Sequence, residues 1–152
     1  MAASPTHSLV LSWDELHRDT RTLACRLAGS KIAGIVGVAR SGLVPAAIIA
    51  RKLNIRHVDT ICIASYEGTI QGEAALLKGI EGDGEGILVV DDLVDTGVTA
   101  HLIRDLLPKA YIATVYAKPI GRNDVDTFVT IVSKDTWIVF PWEQGEPVRA
   151  GG

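Results

Sequence analysis

Ile87-Leu88-Val89-Val90-Asp91-Asp92-Leu93-Val94-Asp95-Thr96-Gly97-Val98-Thr99 leads into Ala100–Leu107, and this stretch decides the fold. Ile87–Val90 is an unbroken β-branched and Leu run, suited to a strand buried on both faces. Asp91 and Asp92 follow where such a strand is expected to end. After the small polar turn Asp95–Thr99, Leu102, Ile103, Leu106 and Leu107 recur at helical spacing until Pro108 stops the helix. The unit is therefore strand, acidic pair, hydroxyl-rich loop, helix. A loop feeding a helix N-terminus offers free backbone N–H groups and the positive end of the dipole to an anion. Thr96 and Thr99 add hydroxyl donors, and Gly97 permits close backbone approach. Such a loop can hold a phosphate while the two aspartates accept sugar hydroxyls or hold Mg²⁺.

Working outward, Gly34–Ala39 is a second buried strand. It ends in Arg40-Ser41-Gly42, and a helix is expected to start near Pro45, a good first-turn residue. The strand-loop-helix logic is repeated here with a cation in place of acids, and Arg40 with loop N–H groups can take a pyrophosphate. His57–Tyr66 reads as a third strand and Tyr111–Ala117 as another, ending at Lys118-Pro119. Asp126–Val132 and Asp135–Trp142 follow. Glu67–Lys78 loses periodicity and reads as a mobile loop or short hairpin. The GxGxG at Gly82–Gly86 precedes a strand, so it is a turn and not a dinucleotide fingerprint, and no GxxxxGK[ST] occurs. Upstream, Ser12 and Glu15 form a capping box for a helix with Leu16, Leu23, Ala24 and Leu27 on one face, ended by Gly29. His17 on that helix reads as solvated. Met1–Ser8 shows no pattern and is expected to fray.

At 152 residues the chain is expected to form one domain, residues 1–152, with a sizeable core. A formal charge of −3 offers no basic surface for nucleic acid. Cys25 and Cys62 lie in apolar patterns without metal-ligand spacing and read as buried reduced thiols. No apolar run approaches the roughly 18 residues of a membrane span. Strands alternating with helices through the first 117 residues imply an α/β, doubly wound, mainly parallel sheet. Its ligands belong at the carboxyl ends of the strands, where Arg40, Asp91, Asp92, Asp95 and Lys118 all fall. No Ser-His-Asp or Cys-His arrangement suggests covalent catalysis.

Val89–Thr99 resembles the 5-phosphoribosyl 1-pyrophosphate (PRPP) motif of the type I phosphoribosyltransferases: an apolar strand, two acids, two apolar residues, then Asp-Thr-Gly-x-Thr. Ala39-Arg40-Ser41-Gly42 stands where that family has its pyrophosphate loop, and Ile55–Tyr66 looks like its xanthine-guanine members. The likeness runs from about Trp13 to Trp142. It implies the type I fold with a small flexible hood at about residues 66–80, and Mg²⁺-dependent purine salvage from xanthine, guanine or hypoxanthine and PRPP. The motif Asp91, Asp92, Leu93, Val94, Asp95, Thr96, Gly97, Val98, Thr99 would bind PRPP. Within it, Asp91 and Asp92 would hold ribose hydroxyls, with Asp92 nearest the metal, and Thr96–Thr99 the 5-phosphate. Arg40 and Ser41 would meet pyrophosphate. Asp95 would face purine N7 as general base or acid. Lys118, a donor only, suits a 6-oxo group. Trp137 would stack on the purine, and the Ile138 backbone would meet its 2-substituent. Taken singly, Lys118 also reads as a surface lysine and Trp137 as core. The resemblance further implies a cytoplasmic homotetramer, with peripheral inner-membrane association known among such members.

Two positions depart from the family pattern. Val98 replaces a usual second Gly, so that position must avoid positive φ. Gly72 stands where the hood usually carries a PRPP-binding arginine, leaving Lys78 as the hood's cation and a candidate substitute. Two rival readings stand beside the main one: a non-enzymatic regulator on the same fold that senses PRPP or purine, and a hypoxanthine-preferring transferase. Regulators of that kind usually add a helix-turn-helix or a basic face, for which this chain has neither room nor charge.

Overall fold

The computed structural model describes residues 7–65, 74–145 and 148. In chain order its elements are β1 (His7–Val10), α1 (Trp13–Leu27), β2 (Gly34–Ala39), α2 (Leu43–Leu53), β3 (Val58–Ser65), β4 (Ala74–Lys78), β5 (Ile87–Val94), α3 (Val98–Leu106), β6 (Tyr111–Ala117), β7 (Thr127–Ile131) and β8 (Thr136–Val139). Six strands form the main sheet in the order β4-β3-β2-β5-β6-β7. Its pairs are parallel except β3–β4, an antiparallel edge hairpin. The apolar runs read as buried strands lie at its centre, where β2, β5 and β6 are covered on both faces.

From β2 the chain passes through α2 to β3 on one side. From β5 it passes through α3 to β6 on the other. The switch point of the sheet therefore lies between β2 and β5, and a crevice opens at their carboxyl ends. Helices α1 and α2 cover one face, packing Leu16, Leu23, Leu27, Ala46 and Ile49 on Ile35, Leu88, Val90 and Val115. Helix α3 covers the other face, with Ala100, Ile103 and the following Leu107 on Val36, Val89 and Ile112.

The capping box of α1 is formed: Glu15 N–H donates to Ser12 Oγ (3.1 Å), and Ser12 N–H donates to the Glu15 carboxylate (2.8 Å). Several local expectations are corrected. Residues His7 and Ser8 do not fray; they belong to β1, which pairs in parallel with β8 as a separate two-stranded sheet. That partner lies at the far end of the sequence, where no local pattern reveals it. Helix α2 starts at Leu43, so Pro45 falls in its first turn as expected, where its missing N–H would be free in any case. On α3 the face is Ala100, Ile103 and Leu107, while Leu106 is turned outward. Cys25 is exposed and not buried, because it lies outside the Leu16–Leu23–Leu27 stripe; both cysteines are free thiols. Part of Glu67–Lys78 is a hairpin strand, β4, while 66–73, including Gly72, lie outside the described residues. Among the described residues no helix is long and apolar enough to cross a membrane.

Candidate active site

Strand β5 carries the acidic pair. It does not end at Val90 as its sequence suggests, but continues to Val94, because β6 keeps pairing with it: Asp91 faces Thr114, Leu93 faces Tyr116 and Val94 faces Ala117. On the other side, pairing with β2 stops at Gly37–Val90. The two acids thus lie inside a strand with one edge laddered and the other opening into the crevice. Asp92 N–H donates to Asp91 Oδ1 (2.8 Å), and Leu93 N–H donates to Asp92 Oδ1 (2.7 Å). Burial pushes both carboxyls above the usual carboxylate range, and Asp92's charge raises Asp91 further. Among the described residues no cation pairs with either acid.

The Asp95–Thr99 loop follows directly. Gly97 caps α3 with φ +92, a left-handed conformation, and a Cβ there would overlap the Asp124 carboxylate. Glycine is therefore demanded twice at that position. Val98 is the first residue of α3 and does not take positive φ, as its β-branched side chain requires. A cavity of about 110 Å³ lies under the loop, walled by Asp91, Asp95, Thr96–Thr99, Leu93 and Val94, and floored by Thr114.

The second loop, Arg40-Ser41-Gly42, turns off β2 after a cis Ala39–Arg40 peptide and points the start of α2 at the same crevice. Gly42 packs so closely on the sheet that a Cβ would stand 2.6 Å from the carbonyl oxygens of both Val38 and Val90. Arg40 is exposed. One cleft is walled by Arg40, Ser41, Asp91, Asp92 and Thr99, with Val38 and Ile63 beneath. The structure therefore unites the two loops and the acids that sequence spacing singled out separately.

Lys118 follows β6. Its N–H donates to Val94 O (2.9 Å), which brings the side chain, only 9% exposed, beside Asp95, with Nζ 3.8 Å from Oδ2. It is not a surface lysine. Asp95 remains 58% exposed, open to a ligand. Trp137 and Ile138 line neither of these cavities: Trp137 is half exposed on β8, and Ile138 is buried in the core. Trp137 is therefore not a core residue. Lys78 is held away from the crevice, its Nζ 3.1 Å from Asp59 Oδ1 and donating to Thr60 O at 2.6 Å, so it is no free substitute for a hood arginine.

Three further residues escaped the sequence. Trp142 and Glu143 wall a cavity against Arg40 and Ser41, carried there by the 3-10 turn Pro141–Glu143. Their local signal was only Pro141 after an apolar run. Thr114, inside a strand run, gave no signal at all.

An α/β sheet whose switch point presents an acidic pair, a helix-capping Thr-Gly-Val-Thr loop and a cationic loop defines a phosphoribosyl-binding protein. The chain belongs to the phosphoribosyl transferase domain family, whose model matches residues 12–148. It is 60% identical over 135 residues to the xanthine-guanine phosphoribosyltransferase of Desulfotalea psychrophila, covering 88% of this chain and 84% of that protein. Identity to the enzyme of the same name from Chromohalobacter salexigens is 56% over 135 residues, covering 89% and 83%. Among solved structures, a purine phosphoribosyltransferase from Pyrococcus horikoshii superposes with a TM-score of 0.79 at 28% identity, covering 96% of this chain and 100% of that one. The fold is thus the type I phosphoribosyltransferase fold expected from the motif.

Proposed function

We propose that this chain, as one catalytic domain, transfers the 5-phosphoribosyl group of PRPP to a 6-oxopurine (xanthine, guanine or hypoxanthine), releasing pyrophosphate and a nucleoside 5′-monophosphate. The observation that carries the reading is the meeting of Arg40, Ser41, Asp91, Asp92 and Thr99 in one cleft at the switch point. A polyanion with phosphates at both ends needs two anion loops on either side of a sugar-binding group, and this cleft supplies that order. The names borne by its relatives support the same reading.

In the reaction the purine N9 forms a bond to ribose C1 as the C1–oxygen bond breaks, and pyrophosphate leaves with the electron pair. Positive charge develops on the ring, so the protein's task is positioning and electrostatics. Thr96–Thr99 hold the 5-phosphate by backbone N–H and hydroxyl groups, Arg40 and Ser41 hold the departing pyrophosphate, and Asp91 and Asp92 orient the ribose hydroxyls. The purine loses one proton, and the exposed Asp95 accepts it. Lys118, fixed beside Asp95, presents only donors and so accepts a 6-oxo purine. By the family resemblance alone, Trp137 would stack on the base and the Ile138 backbone would meet its 2-substituent, although neither lines the two cavities described above.

The donor set fits Mg²⁺. Two uncompensated carboxylates beside a pyrophosphate site are the hard oxygen ligands of an ion that takes one or two protein carboxylates and completes its shell with phosphate oxygens and water. Asp92, with Asp91 beside it, would hold the ion, which when bound neutralises charge on the leaving pyrophosphate. A homotetramer in the cytoplasm, some of it peripheral to the inner membrane, is supported by the family resemblance alone.

The test is to supply the purified protein with PRPP, Mg²⁺ and each purine separately. Nucleotide and pyrophosphate are expected from 6-oxopurines and none from adenine, and chelation should stop turnover. Tight PRPP binding with no turnover of any base would identify a regulator instead.

A further inference from the structure

We propose that Thr114 is a positioning residue that sets the Asp91 carboxylate for the ribose hydroxyls of PRPP. The inference rests on reading Asp91 as a ribose ligand. Thr114 lies on β6, directly in register with Asp91 on β5, so the two side chains stand on the same face of neighbouring parallel strands. Only 2% of Thr114 is exposed. Its Oγ1 is fully buried and meets no hydrogen-bond partner among the described residues. A hydroxyl left so is costly, and in a folded protein it calls for an explanation.

The environment supplies one. Around Thr114 the sheet is apolar: Ala113 and Val115 beside it in sequence, Ile112 and Val125 in the same cavity wall. Valine would fill the place without penalty. The cavity that Thr114 floors is the one walled by Asp91 and the Thr96–Thr99 loop, and its volume of about 110 Å³ is ample for a bridging water. Asp91 Oδ1 already accepts the Asp92 N–H, which holds one side of the carboxylate and leaves the rest of it free to turn. A donor from the cavity floor fixes that rotation. The Thr114 hydroxyl can donate to the carboxylate after a χ1 turn or across one water, and it aims the remaining lone pairs at the crevice, where the sugar would lie. Thr114 touches no reacting atom and acts only through Asp91.

The experiment compares Thr114→Val, Thr114→Ser, Asp91→Asn and the Thr114→Val/Asp91→Asn double variant. It measures KM for PRPP and for guanine, the Kd of Mg²⁺–PRPP in the absence of base, and Tm. Thr114→Val should raise KM and Kd for PRPP about tenfold, the weight of one hydrogen bond to a charged group. KM for guanine should stay within about twofold, and Tm should change little, because valine keeps the β-branched shape of the side chain. Thr114→Ser should recover most of the loss. The double variant should bind PRPP no worse than Asp91→Asn alone, since both changes remove one device. If Thr114→Val does not fold, the Thr114→Ser and Thr114→Ala pair isolates the hydroxyl, and Ser should bind PRPP more tightly than Ala. Unchanged PRPP binding in Thr114→Val, Ser no better than Ala, or additive losses in the double variant would overturn the positioning role while leaving Asp91 in place. An Asp91→Asn variant that binds PRPP normally would overturn the ribose reading itself, and this inference with it.

Discussion

Asp95 and Lys118 are joined at 3.8 Å although 23 positions apart in sequence, because the backbone N–H of Lys118 is tied to Val94. Asp95→Asn keeps the shape and removes the proposed proton acceptor. Its kcat should fall by on the order of 10²–10⁴ with little change in PRPP binding, and steady-state kinetics with guanine checks it. An unaltered kcat would take Asp95 out of the mechanism. Asp91 behaves differently, because its carboxyl is raised by burial first and by the neighbouring Asp92 second. Above that raised range the folded protein carries an ionised, partly desolvated acid that an unfolded chain would hold in water. Below about pH 4 both states are protonated and no difference remains. Asp91→Asn should therefore raise Tm near pH 8, and the gain should shrink as the pH falls, even while PRPP binding weakens. Thermal melts of both proteins between pH 4 and pH 8 read this directly. A gain that grew on acidification would contradict the burial account.

Among the elements, those legible in the sequence were the ones whose own residues fix their environment. The runs Gly34–Ala39 and Ile87–Val90 are apolar on both faces and read as buried strands, and Tyr111–Ala117 reads as a further strand. The Ser12–Glu15 box stated where α1 begins. What was not legible depended on distant partners. The end of β5 is set by β6, whose pairing carries two aspartates past the point where their strand propensity alone would stop it. β1 exists because β8 lies alongside it, and Trp142 and Glu143 reach the Arg40-Ser41 loop through that small sheet and its closing turn. The turn at Thr96-Gly97-Val98-Thr99 was legible because Gly and Thr at fixed offsets declare a backbone geometry, and Arg40-Ser41-Gly42 because Gly42 ends a strand and opens a helix. The close approach of α2 gives a prediction at this scale. At φ −67 an alanine at position 42 is conformationally acceptable, yet its Cβ would stand 2.6 Å from two backbone oxygens. The helix must back away from β2 and β5, and Arg40 and Ser41 move with it. Gly42→Ala should raise KM for PRPP at least tenfold, more than KM for guanine, and lower Tm by several degrees. Equal KM values for PRPP in variant and parent would show that the loop does not depend on this packing.

For the molecule as a whole, the crevice divides the sheet. β2, α2 and β3 lie on one side of the switch point, β5, α3 and β6 on the other, and the ladder between the halves ends at Gly37–Val90. Arg40 and Ser41 belong to one half, the acids and the Thr96–Thr99 loop to the other. A ligand held by both halves continues the connection where the backbone ladder stops, and an unfolded chain offers it no such site. Binding to the folded state alone stabilises by RT ln(1 + [L]/Kd), about 2.7 kcal/mol at one hundred times Kd. With roughly 2–4 °C per kcal/mol for a chain of this size, PRPP with Mg²⁺ should raise Tm by about 5–10 °C. The charge pattern makes the metal part of that effect: pyrophosphate brings several negative charges toward two half-buried carboxylates, and Arg40 is the cation of the cleft among its described lining residues. PRPP with a chelator should therefore give a much smaller shift, and the Mg²⁺-dependent part should largely vanish in Asp92→Asn. Pyrophosphate with Mg²⁺ occupies the Arg40 side without the phosphate loop and should stabilise less than PRPP. A shift from PRPP that is the same with and without chelator would remove the metal from the binding step. A saturating concentration of PRPP that leaves Tm unmoved would mean that the cleft does not join its two halves through this substrate.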